Sequence, residues 1–277
     1  MSRAELWSIV SDTHCGSTLG LCPPEGVGLD DGGRYLPSRA QVALWEAWAD
    51  YWSRVGEARE KRQPLICVVN GDATEGIHHR SSQVVSHNLA ATQHAIAMAT
   101  FRPMLALRPS AVVFVRGTEA HVGSSAEYEE RLAEDLGAEE NGEGQFSRWH
   151  FQADSGGVLL DFAHHGAVGR MPHTRTNPLG ALAMRITNAA AKSKAQIPDL
   201  AIRSHMHQWG DTGDNYPVRV IQIAGWQMST AFVHKVAAGS LPEIGGLIIK
   251  CANGEADVQK VKYPWKRAEP WSLRKSA

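Results

Sequence analysis

Asp12 and His14 stand two residues apart in Ser11-Asp12-Thr13-His14-Cys15-Gly16-Ser17, directly after the apolar run Leu6-Trp7-Ser8-Ile9-Val10. In an extended chain residues two apart share a face, so this spacing sets a carboxylate beside an imidazole at the end of a strand. A mixed oxygen and nitrogen pair suits Mn, Fe or Zn better than Ca or Mg. A single triplet of this kind carries little weight. Three further β-like runs end in the same chemistry. Residues 64–70 lead into Gly71-Asp72-Ala73-Thr74-Glu75-Gly76, where glycine permits a tight turn in front of a carboxylate. Residues 159–163 lead into His164-His165-Gly166, and residues 200–203 into Ser204-His205-Met206-His207, a second pair of candidate ligands at alternate positions. Open α/β sheets build their sites outside the carboxyl ends of their strands, so four such ends can converge.

The ordered blocks from Asp12 to His207 resemble the calcineurin-like metallophosphoesterases, whose signature runs DxH, GDxx[DE], GNH[DE], a histidine before glycine or a second histidine, and GHxH. The resemblance implies that Asp12, His14 and His207 hold one divalent ion, that Asp72 bridges, and that His164 with His205 holds the other. His165 competes for the His164 position. The implied ions are two, Mn first, with Fe, Zn or Ni as alternatives. The implied fold is α/β, two mixed β-sheets packed face to face and flanked by helices in four layers, with the metals at one edge.

Two blocks depart from the pattern. Ser204 replaces the glycine of GHxH, a loss of backbone clearance only. The GNH[DE] block is altered more deeply: residues 111–115 are followed by Arg116-Gly117-Thr118-Glu119-Ala120-His121, which sets Thr118 at the position of the metal-binding asparagine and Glu119 at that of the histidine. Glu119, a hard charged donor, is preferred over the Thr118 hydroxyl as ligand to the second ion. His121 lies three residues beyond Thr118, one helical turn away, and is the candidate phosphate contact or general acid.

A chain of 277 residues with 43% hydrophobic and 21% charged content has the balance of an ordinary globular protein, read here as one domain over residues 1–277. No apolar stretch of 18 residues occurs, and the first strand begins almost at once, so neither membrane span nor signal peptide is expected. Cys15, Cys22, Cys67 and Cys251 lack paired spacing and fit a cytoplasmic location. The net charge of −1 excludes a global attraction to nucleic acid, but charge is uneven. Residues 119–143 are acidic and read as the wet face of a helix over 125–136. Residues 165–203 carry Arg170, Arg175, Arg185, Lys192, Lys194 and Arg203, which could overhang the site and meet phosphate. His79 and Arg80, just past the Asp72 block, and Arg170 are the candidate substrate contacts.

Ser38 and Gln41 form a capping-box pattern opening a helix in which Val42, Trp45, Trp48, Trp52 and Val55 make a packing stripe rather than a base-stacking surface. Helices are expected over 84–107 and 179–195, and hairpins over 149–163 and 246–261, the second turning at Asn253-Gly254. The glycine- and proline-rich residues 20–36 read as a substrate-side loop. Together these features point to hydrolysis of a phosphate ester by hydroxide held between two metals, phosphodiester ahead of monoester, with His121 protonating the leaving oxygen. The alternatives are a nuclease acting on DNA or RNA, and a non-catalytic metal-binding scaffold.

Overall fold

The computed structural model describes residues 4–77, 83–169, 171–236 and 241–265. In chain order the strands are β1 Glu5–Val10, β2 Val27–Gly28, β3 Arg34–Tyr35, β4 Leu65–Asn70, β5 Ala111–Val115, β6 Ser147–Arg148, β7 His150–Ser155, β8 Val158–His165, β9 Leu200–Ser204, β10 Gly210–Asp211, β11 Arg219–Gln222, β12 Ile244–Ala252 and β13 Glu255–Tyr263. The α-helices are α1 Arg39–Ala58, α2 His94–Thr100, α3 Arg102–Ala106, α4 Glu119–Val122, α5 Glu127–Asp135, α6 Asn177–Ser193 and α7 Ala231–Val236.

Two mixed sheets result, one in the order β13-β12-β1-β4-β5-β6 and one in the order β10-β11-β9-β8-β7. Strand alternation explains how they pack. Trp7 and Ile9 of β1 and Ile66 and Val68 of β4 face the second sheet, where they meet Leu160, Phe162, Ile202 and Ile221 in one buried cluster. Leu6, Val10, Leu65, Cys67 and Val69 point the other way, onto Leu44, Trp48, Tyr51, Trp52 and Val55 of α1 and onto Ile96, Phe101 and Leu132. The far face of the second sheet buries Ala201 and Val220 against Leu179 and Ala183 of α6. The layers are therefore helix, sheet, sheet, helix, as expected.

The capping box forms: Gln41 N–H donates to Ser38 Oγ and Ser38 N–H to Gln41 Oε1. The tryptophan stripe packs, with Trp48 and Trp52 buried and Val42 and Trp45 at its margin. Both hairpins form, and the second is in unbroken register from Ile244↔Tyr263 to Ala252↔Glu255. The helix expected over 84–107 is broken into a π-turn at Leu89–Gln93, α2 and α3. Pro103 lies in the first turn of α3, where its missing N–H is harmless. The loop over 20–36 is a short ribbon of β2 and β3, held to the core because Gln41 Nε2 donates to the carbonyls of Ser17 and Gly20.

Candidate metal centre

β1 and β4 run parallel and side by side, and their carboxyl ends release Asp12, His14 and Asp72 at the same edge. β4 pairs in turn with β5, which releases Thr118. The second sheet delivers His164 at the end of β8 and His205 and His207 just beyond β9, two parallel neighbours. Among the described residues three candidate ligand groups form; His14 with Glu75 and His121 shares its histidine with the first of the two main clusters, which are Asp12 with His14 and His207, and Asp72 with His164 and His205. They adjoin, since the His205 backbone N–H lies 3.3 Å from Asp12 Oδ2.

Asp12, His14, Asp72, His205 and His207 all have positive φ, between 44° and 77°, and account for half of the non-glycine residues of that kind among the described residues. The expectation that these pairs share a face of an extended segment is corrected here: the strands end first, at Val10 and Ser204, and left-handed loop conformations aim the side chains. Such backbones are strained by roughly 1–3 kcal/mol each and persist only where the surroundings hold them. Here the loops interlock, with Asp12 N–H donating to Gly71 O, His14 N–H to Asp72 O and Trp226 N–H to Asp12 O.

The clusters have the donor set of a cation site. His164 Nδ1 donates to Asn70 O at 2.6 Å, so the neutral ring turns its Nε2 lone pair toward Asp72 Oδ2, 3.0 Å away. His14 Nδ1 lies 3.0 Å from Glu75 Oε2, which directs His14 Nε2 at His207 Nε2, 3.1 Å off. Asp12 Oδ1 is buried and lies 3.2 Å from the same His207 Nε2. Lone pairs converging in a dry pocket are unfavourable unless a proton or a cation lies between them. In the metal-free chain protons fill that role. Burial would depress His164, but the Asp72 carboxylate raises it to about 10. Burial also opposes the charge on His14, and Glu75 outweighs it and raises the ring. Asp12 and Asp72 move down against burial, Asp12 to about 2 beside His207, and Asp72 well below the carboxylate range beside His164.

His164 is buried in the Asp72 cluster, while the side chain of His165 is exposed. Glu119 does not join the clusters: its side chain is exposed on the first turn of α4. Thr118 stands where Glu119 was expected, its N–H donating to Asp72 Oδ1 at 2.7 Å and its hydroxyl 3.1 Å from His205 Nδ1. The physical reason is that the helix starts at Glu119, so Thr118 is the last residue still directed by β5. One turn on, His121 returns to the site, its ring edge-on to His14 with centroids 4.5 Å apart and its Nδ1 donating to Glu75 O at 2.6 Å. Burial, with the His14 charge beside it, lowers His121 to about 4. His79, Arg80 and Arg170 lie outside the described residues.

Several contributors had no role assigned from the sequence, Glu75 among them although it fills the acidic position of the GDxx[DE] block. Glu75 is buried and accepts from Gln227 Nε2 at 3.0 Å. Gln227 comes from a fifth strand end, after β11, where Gly225 lies so close that a Cβ would stand 3.0 Å from both Asp12 Cβ and His207 Cγ. Trp226 anchors this loop by packing edge-on against Trp48, centroids 4.8 Å apart. Glu129, expected on a wet helix face, is wholly buried and accepts from Ala73 N–H and Gly117 N–H, and burial together with the Asp72 charge pushes it up to about 7. Among the described residues of the basic stretch, Arg203 pairs with Asp161, Arg175 with Glu243, and Arg185, Lys192 and Lys194 are exposed on or just past α6.

Two face-to-face mixed sheets, with the ligand blocks at their strand ends in signature order, decide the architecture. This helix, sheet, sheet, helix sandwich is the fold that the resemblance to the calcineurin-like metallophosphoesterases implies. No protein-family profile and no curated protein sequence matches the chain. Among solved structures, a dimetal phosphatase from Danio rerio aligns at 12% identity and TM-score 0.49 over 94% of this chain and 96% of that one. A conserved protein from Streptococcus pneumoniae, described as a predicted phosphoesterase, aligns at 8% identity and TM-score 0.40 over 95% and 91%. The NAD nucleotidase of Haemophilus influenzae aligns at 11% identity and TM-score 0.41 over 94% of this chain and 56% of its own. Among the described residues no helix is long and apolar enough to cross a membrane.

Proposed function

We propose that the chain is a metal-dependent hydrolase of phosphate esters, acting on phosphodiesters ahead of monoesters. The observation that carries this reading is the pair of adjoining clusters, each joining a buried carboxylate to two imidazoles. Asp12, His14 and His207 would hold one divalent ion, His164, His205 and the Thr118 hydroxyl the other, with Asp72 between them. Such mixed oxygen and nitrogen sites suit Mn, Fe, Zn or Ni, and Mn is the first choice. When bound, two such ions supply Lewis acidity toward the phosphoryl oxygens and a water of lowered pKa.

The chain's own residues do the rest. Glu75 and the Asn70 carbonyl fix the tautomers of His14 and His164, so that both present Nε2. His121 stands beside His14 with its Nδ1–H donated to the Glu75 carbonyl, and would be the residue nearest the phosphate or its leaving oxygen. None of the six imidazole and carboxylate ligands pairs with a described Lys or Arg, so their charge is left for cations. A nuclease would share this chemistry, with a longer substrate. The scaffold alternative is disfavoured, because a chain under no demand for a site has no reason to hold five ligand residues in strained loops.

The test is metal analysis joined to a hydrolysis panel with added Mn: an aryl phosphomonoester, an aryl phosphodiester, 2′,3′- and 3′,5′-cyclic nucleotides, and single- and double-stranded DNA. The expected result is Mn-dependent turnover, fastest on a diester. Turnover of none of these by protein holding two ions per chain would overturn the reading.

A further inference from the structure

Glu129 is not in either ligand cluster, and its carboxylate is fully buried. An ionisable group removed from water is costly unless its oxygens are bonded. Both are: Oε1 accepts from Ala73 N–H at 2.9 Å and Oε2 from Gly117 N–H at 2.6 Å. Neither donor is incidental. Ala73 follows Asp72, and Gly117 precedes Thr118. The parallel ladder between β4 and β5 ends at the pair Asn70↔Val115, so past that point the two loops have no sheet bonds to set their separation. Buried backbone N–H groups need an acceptor, and one carboxylate serves both loops. It reaches them from α5, a helix anchored separately through Leu132 in the helix-side core. Between the loops the fit is close: Thr118 N–H donates to Asp72 Oδ1, and a Cβ on Gly117 would collide with that same oxygen.

We propose that Glu129 is a positioning residue of the metal centre, a clamp that fixes the Asp72 loop against the Gly117-Thr118 loop and so sets the direction of the bridging carboxylate. This rests on the dimetal reading above. Glu129→Gln keeps the size of the side chain but turns an amide NH2 toward one of the two backbone donors, so one loop is released. Glu129→Asp keeps the charge and is too short to reach both. Leu132→Ala is the control, since it loosens the same helix without touching either loop.

Each protein, stripped by chelation, is titrated with Mn and followed by the magnetic-resonance signal of the spin-coupled Mn pair, with thermal unfolding measured on the metal-free form. Glu129→Gln is expected to bind the second Mn at least ~10-fold more weakly and to lose the coupled signal at stoichiometric Mn, the scale of removing an outer partner of a ligand. Glu129→Asp should fall between it and the unmodified chain, and it carries the test if Glu129→Gln does not fold. Leu132→Ala should keep its Mn affinity within about two-fold, the scale of a site left untouched, even where its unfolding temperature falls further. A normal coupled pair in both Glu129 variants overturns the clamp alone. Loss of the pair in Leu132→Ala in proportion to its stability also overturns it, because the effect is then general loosening. An unmodified chain that binds no Mn pair overturns the dimetal reading and the clamp together.

Discussion

Behind His14 stands a carboxylate, Glu75, held in turn by Gln227, whereas behind His164 stands only the Asn70 carbonyl, with the Thr118 amide and hydroxyl on Asp72. Both clusters combine one carboxylate and two histidines, and in each the histidine beyond β9 is the most exposed, His207 and His205 at 27% and 35%. They differ in the charge of their support. A carboxylate behind an imidazole makes the ring a more basic ligand than a neutral carbonyl does. The first cluster should therefore hold its ion tightly, and the second should hold an exchangeable one.

The largest effect is expected where the two clusters meet. Asp72→Asn removes the charge both would share, and should lose at least one ion per chain with a fall in rate of ~10³-fold or more, read by metal analysis and turnover of an aryl phosphodiester. An active variant with two ions would mean that the clusters do not depend on one carboxylate. Next comes the asymmetry itself. Glu75→Gln should weaken the tighter ion ~10- to 100-fold, whereas Thr118→Val should weaken the looser one by no more than the low end of that range. Mn titration that ranks them the other way reverses the comparison.

Acid offers a smaller, sharper separation of site from fold. Asp161, in the second sheet, is pulled up by burial, but the hydrogen bond from His150 and the Arg203 charge outweigh it and hold its pKa at about 2. A depressed carboxyl stabilises the fold above its unfolded value, and that contribution disappears as pH falls through its folded value. The stability gap between the unmodified chain and Asp161→Asn should be roughly 2 kcal/mol above about pH 4 and close between about pH 4 and 2, measured by urea unfolding. Bound Mn should be released at higher pH than this gap closes. Release only when the gap closes would tie the ions to global unfolding. The smallest effect belongs to Glu119→Gln: an exposed side chain outside both clusters should change Mn content at limiting Mn by less than about two-fold. A selective loss of the second ion would restore Glu119 as its ligand.

What the sequence determined by itself is the set of chemically competent strand ends. Apolar runs leading into Asp72, His164 or His205 are local patterns, and parallel strands must leave their carboxyl ends on one side. The α1 capping box, the Asn253-Gly254 hairpin and the packing role of Trp48 and Trp52 were legible for the same reason, being contacts within a few residues or along one helix face. Only the tertiary structure decided which neighbours turn inward. Thr118 rather than Glu119 faces Asp72 because the helix begins one residue later, a boundary that local propensity leaves loose by one or two positions. Glu129 sits among acids that look uniformly wet, and it is buried because two backbone N–H groups from distant strands lack any other acceptor. Gly225 and Gln227 carry no motif, and their part in the site exists only because β11 lies beside β9 and its end meets Asp12 and Glu75. Ligand identity is a property of residue types and spacing; ligand support is a property of which chain segments, far apart in sequence, are left with unpaired polar groups where they meet.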